Sequence, residues 1–277
     1  MNRLLKKAGK NIFSLIGAIP LMDEFNYRFQ QIWNLRRNIT YKKPLKRFVF
    51  PTDRALFNTF QLNYKKYYED GLLAAHEMME WGAIKTMHQP IILDWGCGTG
   101  RVIRHIPELK KDAVCYGADI DCTTIQWCRN AIDAVYFDCI EQGLPYPSNY
   151  FHLVYGISVL THIPKDTTAF WLKELERVLV PNGMAILTTH GTNYLHQLDQ
   201  VQIQQLEKEG MYTQPFKQIG HRSMTTYHEA NHLKKLIAKH FTLIHFWEGL
   251  NFPEKMGGQD CWVIKKIVPA TGSNRDY

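Results

Sequence analysis

The stretch ILDWGCGTGR, residues 92–101, decides how this chain is read. An apolar run ends in an acid, Asp94, and then three glycines follow at every second position: Gly96, Gly98 and Gly100. A buried strand that passes through a glycine loop into a helix brings backbone N–H groups up to a ligand at the carboxyl end of a sheet. Glycine permits that approach because any side chain would block it. The spacing G-x-G-x-G is one residue shorter than the G-x-G-x-x-G of a dinucleotide loop.

The charge in front of the glycines says more than the glycines do. A carboxylate at the Asp94 position repels a pyrophosphate and attracts a ligand that carries an ammonium and a sulfonium. S-adenosylmethionine (SAM) has both and no phosphate. A second acid, Asp119, lies in YGADID, residues 116–121. It falls at the end of the next strand, where a carboxylate accepts hydrogen bonds from both hydroxyls of a ribose. Nicotinamide enzymes use an acid in the same way, so Asp119 alone does not choose between cofactors. Asp121 reads as the N-cap of a helix beginning near Thr123.

Outward from this loop the pattern alternates. Strands are expected at 91–93, 114–118, 135–137, 153–157 and 184–189. Helices are expected at 101–109, 122–132 and 170–179. Such alternation predicts a mostly parallel α/β sheet. Residues 191–225 are polar and interrupted, which reads as an insertion or lid. A helix at 229–239 and strands at 241–247 and 261–267 follow, and the tail 269–277 reads as loose.

Four segments, in order and at normal spacing, resemble the class I SAM-dependent methyltransferases. ILDWGCGTGR resembles that family's motif I, and YGADIDCTTIQWCRN (116–130) its second strand and following helix. GLPYPSNYFHLVYGISVLTHI (143–163) resembles the stretch around the fourth strand, and WLKELERVLVPNGMAILTTH (171–190) the helix, turn and fifth strand. The resemblance implies a Rossmann-like, seven-stranded sheet closed by a C-terminal antiparallel hairpin, with SAM as cofactor. It implies that Asp94, Gly96, Cys97, Gly98 and Gly100 hold the methionine part and that Asp119 holds the ribose. It also sets Ile120 against the adenine, Cys139 and Ile140 at the adenine edge, and Ile157 at the end of strand four. Two positions depart from the family pattern. His152 stands where an Asp is usual, and Asn182 replaces the first glycine of a Pro-Gly-Gly turn, whose left-handed geometry Asn tolerates.

Methyl transfer to an aliphatic hydroxyl benefits from a base on the attack line. His162 in LTHIP and His190 in TTHG fall at the ends of strands four and five, and histidine titrates in a suitable range. Each could instead order a loop by hydrogen bonding. His221 and Arg222, in the insertion, could reach a substrate if that segment folds over the site. HEANH, residues 228–232, satisfies the zinc-hydrolase pattern H-E-x-x-H. It lies inside the methyltransferase pattern, and a metzincin third ligand would fall on Ala238, so no metal is expected.

The bulk properties bound the rest. Of 277 residues, 45% are hydrophobic and 21% charged, which describes a globular chain. No apolar run approaches the roughly 20 residues of a spanning helix. The six cysteines form no CxxC pair and read as reduced thiols of a cytoplasmic protein rather than a disulfide frame. The net charge of +7 is uneven. Residues 1–50 hold eleven Lys and Arg against two acids, and the remaining 227 hold 22 against 24.

That asymmetry points to an anionic partner. Residues 3–19 place Leu4, Leu5, Ala8, Ile12, Leu15, Ile16 and Ile19 on one helical face and lysines on the other, a pattern ended by Pro20. It suits peripheral membrane contact, or packing on protein. Residues 24–50 interleave aromatic and basic residues, as nucleic-acid surfaces do and as an amphipathic helix with a solvated basic side also does. The expected organisation is an arm (1–50), a helical preface (51–89) in which Gly71 interrupts two helices, the SAM-binding domain (90–268) and the tail. The layout, with a late strand QDCWVIKK (259–266), resembles methyltransferases that act on small molecules and saccharides, so the expected acceptor is such a molecule, lipid-linked or free. An RNA methyltransferase and a non-catalytic SAM-binding protein are the alternatives.

Overall fold

The computed structural model describes residues 19–214 and 224–268. Residues 3–18 of the helix expected at 3–19, His221, Arg222 and the tail 269–277 lie outside the described residues. The chain divides into two compact units, 1–69 and 70–277.

In the first unit, helix α1 spans Ile19–Lys42, α2 spans Asp53–Thr59, and α3 begins at Tyr64. Pro20 sits in the first turn of α1, which needs no N–H donor from it. Thr52 caps α2 by accepting from the Ala55 amide. The core of this unit is aromatic: Tyr27, Phe50, Leu56, Phe57, Leu62 and Tyr67 are buried together. The rings of Phe50 and Tyr64 stack at 4.5 Å.

The second unit is built on a seven-stranded sheet. Its strands are β1 (Ile91–Trp95), β2 (Val114–Asp119), β3 (Tyr136–Cys139), β4 (Phe151–Gly156), β5 (Leu179–Thr189), β8 (Phe241–Trp247) and β9 (Asp260–Lys266). Their order is β3-β2-β1-β4-β5-β9-β8. The first five run parallel, and β9 is antiparallel to both β5 and β8. Two short strands, β6 (Met211–Gln214) and β7 (Thr225–His228), pair separately. Helices α4 (Ile106–Leu109), α5 (Cys122–Ala131), α6 (Thr168–Val178), α7 (Gln200–Glu209) and α8 (Ala230–Ile237) complete the described α-helices, with α3 ending at Trp81.

Both faces of the sheet are covered, which is why its strands are apolar runs. Ile92, Leu153, Tyr155, Ile186 and Val263 pack on one side with Met78, Ile125 and Cys128. Their strand neighbours Leu93, Val154, Ala185, Leu187, Trp262 and Ile264 pack on the other with Leu172, Leu175, Leu233 and Ile237. The period-two alternation of a strand thus sorts adjacent residues into two cores.

Local details bear on the sequence reading. Asp121 caps α5 by accepting from the Thr123 and Thr124 amides. Asn182 adopts φ +64°, and the register between β4 and β5 shifts at this turn, so Phe151 faces Leu179 while Leu153 faces Met184. His152 has a structural role, because its Nδ1 accepts from the Ile91 amide at 3.0 Å. Gly71 does not interrupt a helix, since α3 runs through it. A Cβ there would sit 2.4 Å from the Arg101 carbonyl oxygen. Close backbone approach, not a break, accounts for that glycine.

Candidate functional site

The carboxyl ends of β1 and β2 lie side by side, with Trp95 opposite Ala118. Both the Gly96 and Cys97 amides donate to the Ala118 carbonyl, at 2.7 and 3.1 Å, so the glycine loop starts clamped to the neighbouring strand. Gly96, Gly98 and Gly100 all have positive φ. At Gly96 (φ +73°) a Cβ would also stand 2.3 Å from a Val159 methyl. Neither the dihedral nor the space admits a side chain.

Asp119 braces this loop. Its Oδ2 accepts the Gly98 amide at 2.8 Å, and its Oδ1 accepts the Asp121 amide at 3.0 Å. Burial raises its pKa against these hydrogen bonds. Asp94 is buried at the end of β1 and accepts a hydrogen bond from the Tyr155 hydroxyl at 3.2 Å. Burial pushes Asp94 up to about 7, opposed by the Tyr155 bond and by Arg101. Among the described residues, neither acid takes part in an ion pair. A buried carboxylate and a half-buried one beside the glycine loop suit a cationic nucleoside and oppose a pyrophosphate.

The other residues read as cofactor contacts divide. Cys97 is buried within the loop, and Ile120 is exposed just beyond Asp119. Ile140 is buried in the core, its amide donating to the Asp119 carbonyl at 3.0 Å. Ile157, past the end of β4, is half-buried against the core on the Asp94 side. Cys139 is joined to Cys122 by a disulfide, which corrects the reading of all six cysteines as free thiols. The pairing follows from topology. Cys139 ends β3, Cys122 opens the helix after β2, and their Cα atoms are 5.1 Å apart, within disulfide range. The other four cysteines are free and buried.

A second cluster gathers at the ends of β4 and β5. The Gln259 amide donates to the Ser158 Oγ at 2.6 Å and reaches His190 Nε2 at 3.5 Å, and its Oε1 accepts from Thr188 Oγ1 at 2.5 Å. Thr188 Oγ1 accepts the Ser158 amide at 2.7 Å. His190 is buried, stacks on Tyr194 at 4.0 Å, and leaves its Nδ1 without a partner. Burial and the neighbouring His162 lower its pKa to about 3. His162 lies 6.5 Å from His190, centroid to centroid, and its Nδ1 donates to the Met224 carbonyl at 2.7 Å. That bond sets the tautomer that keeps a lone pair on Nε2.

The segment after β5 is tied to the same cluster. The His228 amide donates to the His190 carbonyl, the Thr226 amide to the Thr161 carbonyl, and the Tyr194 hydroxyl to the Gly257 carbonyl. The H-E-x-x-H stretch is dismantled by this arrangement. His228 ends β7, whereas His232 is in α8, and Glu229 between them is the N-cap, accepting the Asn231 and His232 amides. The two histidines do not share a helical turn, and no group of three or more metal-ligating side chains occurs among the described residues.

Sequence reasoning missed Tyr155, Ser158, Tyr194 and Gln259. Only Ser158 had a signal, its place in the SVLTH segment; Tyr155 and Gln259 meet the site through long-range contacts, and Tyr194 by stacking on His190 four residues before it.

Comparison with known proteins agrees with this geometry. Residues 93–187 match the family model described as a methyltransferase domain. The malonyl-[acyl-carrier protein] O-methyltransferase of Halorhodospira halophila is 28% identical over 156 residues, 52% of this chain and 51% of its own length. The chain thus spans about half of that curated relative. A SAM-dependent methyltransferase from Methanosarcina mazei has the same fold, with a TM-score of 0.52 at 18% identity over 68% of this chain and 97% of its own. Another from Mesorhizobium loti gives 0.50 at 14% identity over 69% and 100%.

Proposed function

We propose that this chain carries a SAM-dependent methyltransferase domain and moves a methyl group from SAM to an oxygen of a small organic or saccharide acceptor. The observation that carries this reading is the pair of acids, buried Asp94 and half-buried Asp119, at the two strand ends beside the glycine loop. Asp94 would pair with the methionine ammonium and Asp119 with the ribose.

Bound SAM supplies an electrophilic methyl carbon. The chain must hold an acceptor in line with it, and alignment alone can account for roughly 7–11 kcal/mol of barrier. Ser158 and His190, after the ends of β4 and β5, and Gln259, just before β9, are the groups placed to hold it there, with Thr188 bracing Ser158 and Gln259. We assign the proton-accepting role to His162, which lies 6.5 Å from His190, centroid to centroid, at the ends of β4 and β5. His190, whose pKa lies near 3, is a poor base and is assigned to hydrogen bonding of the acceptor through Nδ1. The name of the Halorhodospira halophila relative specifies an O-methyl product, which supports oxygen as the attacked atom.

Calorimetry of the purified chain with SAM and, separately, with NAD tests the cofactor. SAM binding with no response to NAD is expected; the reverse sinks the proposal. Transfer of labelled methyl from SAM to a panel of small acids, alcohols and sugars then tests the acceptor class, with RNA as the comparison substrate.

A further inference from the structure

Helix α1 is amphipathic the wrong way round. Its inward residues are largely polar and are spent on specific bonds. Asn38 accepts the Tyr64 amide at 3.0 Å, the Gln31 amide donates to Asp53 at 2.9 Å, and Asn34 is buried and bonds to the Gln30 carbonyl. Its outward residues are large and apolar. Phe25, Phe29, Ile32, Trp33, Leu35 and Ile39 are between 51 and 76% exposed. The spacing 25, 29, 32, 36, 39 makes one continuous stripe. The solvated side expected to be merely basic is therefore apolar, with arginines set into it. Arg36 falls on the stripe itself, Arg37 beside it, and the helix carries only two acids, Asp23 and Glu24. Glu24 is already paired with Arg28 and Arg54.

We propose that this face of α1 docks on an anionic membrane surface, with its apolar stripe in the acyl boundary and its arginines against headgroups. An exposed stripe of this size calls for a cover, and its charge favours this occupant over two others. A two-fold antiparallel pairing of two copies about Ile32 would set Arg28 of one against Arg36 of the other, like charge against like. A nucleic acid would satisfy the arginines but leave Ile32, Leu35 and Ile39 with nothing to stack on. Stacked Phe29 and Trp33, 5.8 Å apart, suit the interface between water and lipid. The inference is independent of the acceptor chemistry.

The test is co-sedimentation of the full chain with vesicles of about three parts phosphatidylcholine to one part phosphatidylserine, and with phosphatidylcholine alone. Binding to the anionic vesicles and little to the neutral ones is expected. Phe29→Glu with Trp33→Glu should lower partition at least about tenfold. Arg36→Glu with Arg37→Glu should cost roughly fivefold per charge on the anionic vesicles only. Helicity by circular dichroism and SAM binding by calorimetry should be unchanged in both variants, which separates docking from folding and from the cofactor reading. The proposal is overturned if the full chain ignores anionic vesicles, or if the first variant partitions like the parent. It is also overturned if that variant instead converts a dimer to a monomer or abolishes RNA binding.

Discussion

The Tyr155 hydroxyl donates to the buried Asp94 carboxylate at 3.2 Å, from the neighbouring strand of the sheet. One hydrogen bond does not offset full burial, so Asp94 holds a proton up to about pH 7. A ligand ammonium favours the ionised form. Cofactor affinity is therefore expected to be flat above pH 7 and to fall as pH drops below it, by up to about tenfold per unit. Asp94→Asn should weaken binding and abolish this pH dependence, as read by calorimetry from about pH 5.5 to 8.5.

The same residue affects stability with a definite sign. Its folded-state pKa lies above the unfolded value, so the native state binds the extra proton. The contribution to stability is present below about pH 4 and is lost as pH rises toward 7. At about pH 8 without cofactor, Asp94→Asn should melt at or above the parent temperature. A lower melting temperature would contradict the assigned burial cost.

Asp119 braces the loop and, in the proposed function, holds the ribose. Asp119→Ala removes the acceptor for the Gly98 and Asp121 amides. Cofactor affinity should fall about 10- to 100-fold, at about 1.5–3 kcal/mol for a hydrogen bond to a charged group. Asp119→Asn, which keeps one acceptor oxygen, should recover part of it.

At Gly96 the left-handed dihedral and the Val159 methyl both oppose a side chain. Gly96→Ala should destabilise the fold by about 1–3 kcal/mol and weaken cofactor binding. Adding Val159→Ala relieves the steric part and leaves the dihedral part, so thermal melts of the double variant should recover only partially.

The two histidines should separate kinetically. His162→Ala is expected to lower kcat by about 10²–10⁴ with cofactor affinity unchanged. His190→Asn should raise KM for the acceptor more than it lowers kcat. An equal loss of kcat in both would reject the division of labour.

The disulfide between Cys122 and Cys139 closes a short loop of sequence separation 17, worth about 3 kcal/mol in a chain-entropy account. Reductant should lower the melting temperature of the parent and not that of Cys122→Ser. Non-reducing peptide mapping should recover the crosslinked pair.

Much of the sheet was legible because local pattern and fold agree. The strand at 241–247 has the expected bounds, the strand at 91–95 extends the expected one by two residues, and the Asp121 cap and the left-handed Asn182 follow from residue type. Gly71 was misread because a helix break and a tight backbone approach leave the same mark in a sequence. The H-E-x-x-H match failed because spacing does not reveal that a strand ends between its histidines.

Nearest-neighbour chemistry was enough to place Asp94 and Asp119 at adjacent strand ends, since a glycine loop after a buried strand has few alternatives. It could not show that Gln259, 69 residues from His190 and 101 from Ser158, would join them. Nor could it turn the apolar side of α1 outward. Those outcomes depend on which surfaces the folded chain brings together, and a side chain's partner across such a separation is set by packing rather than by its neighbours in sequence.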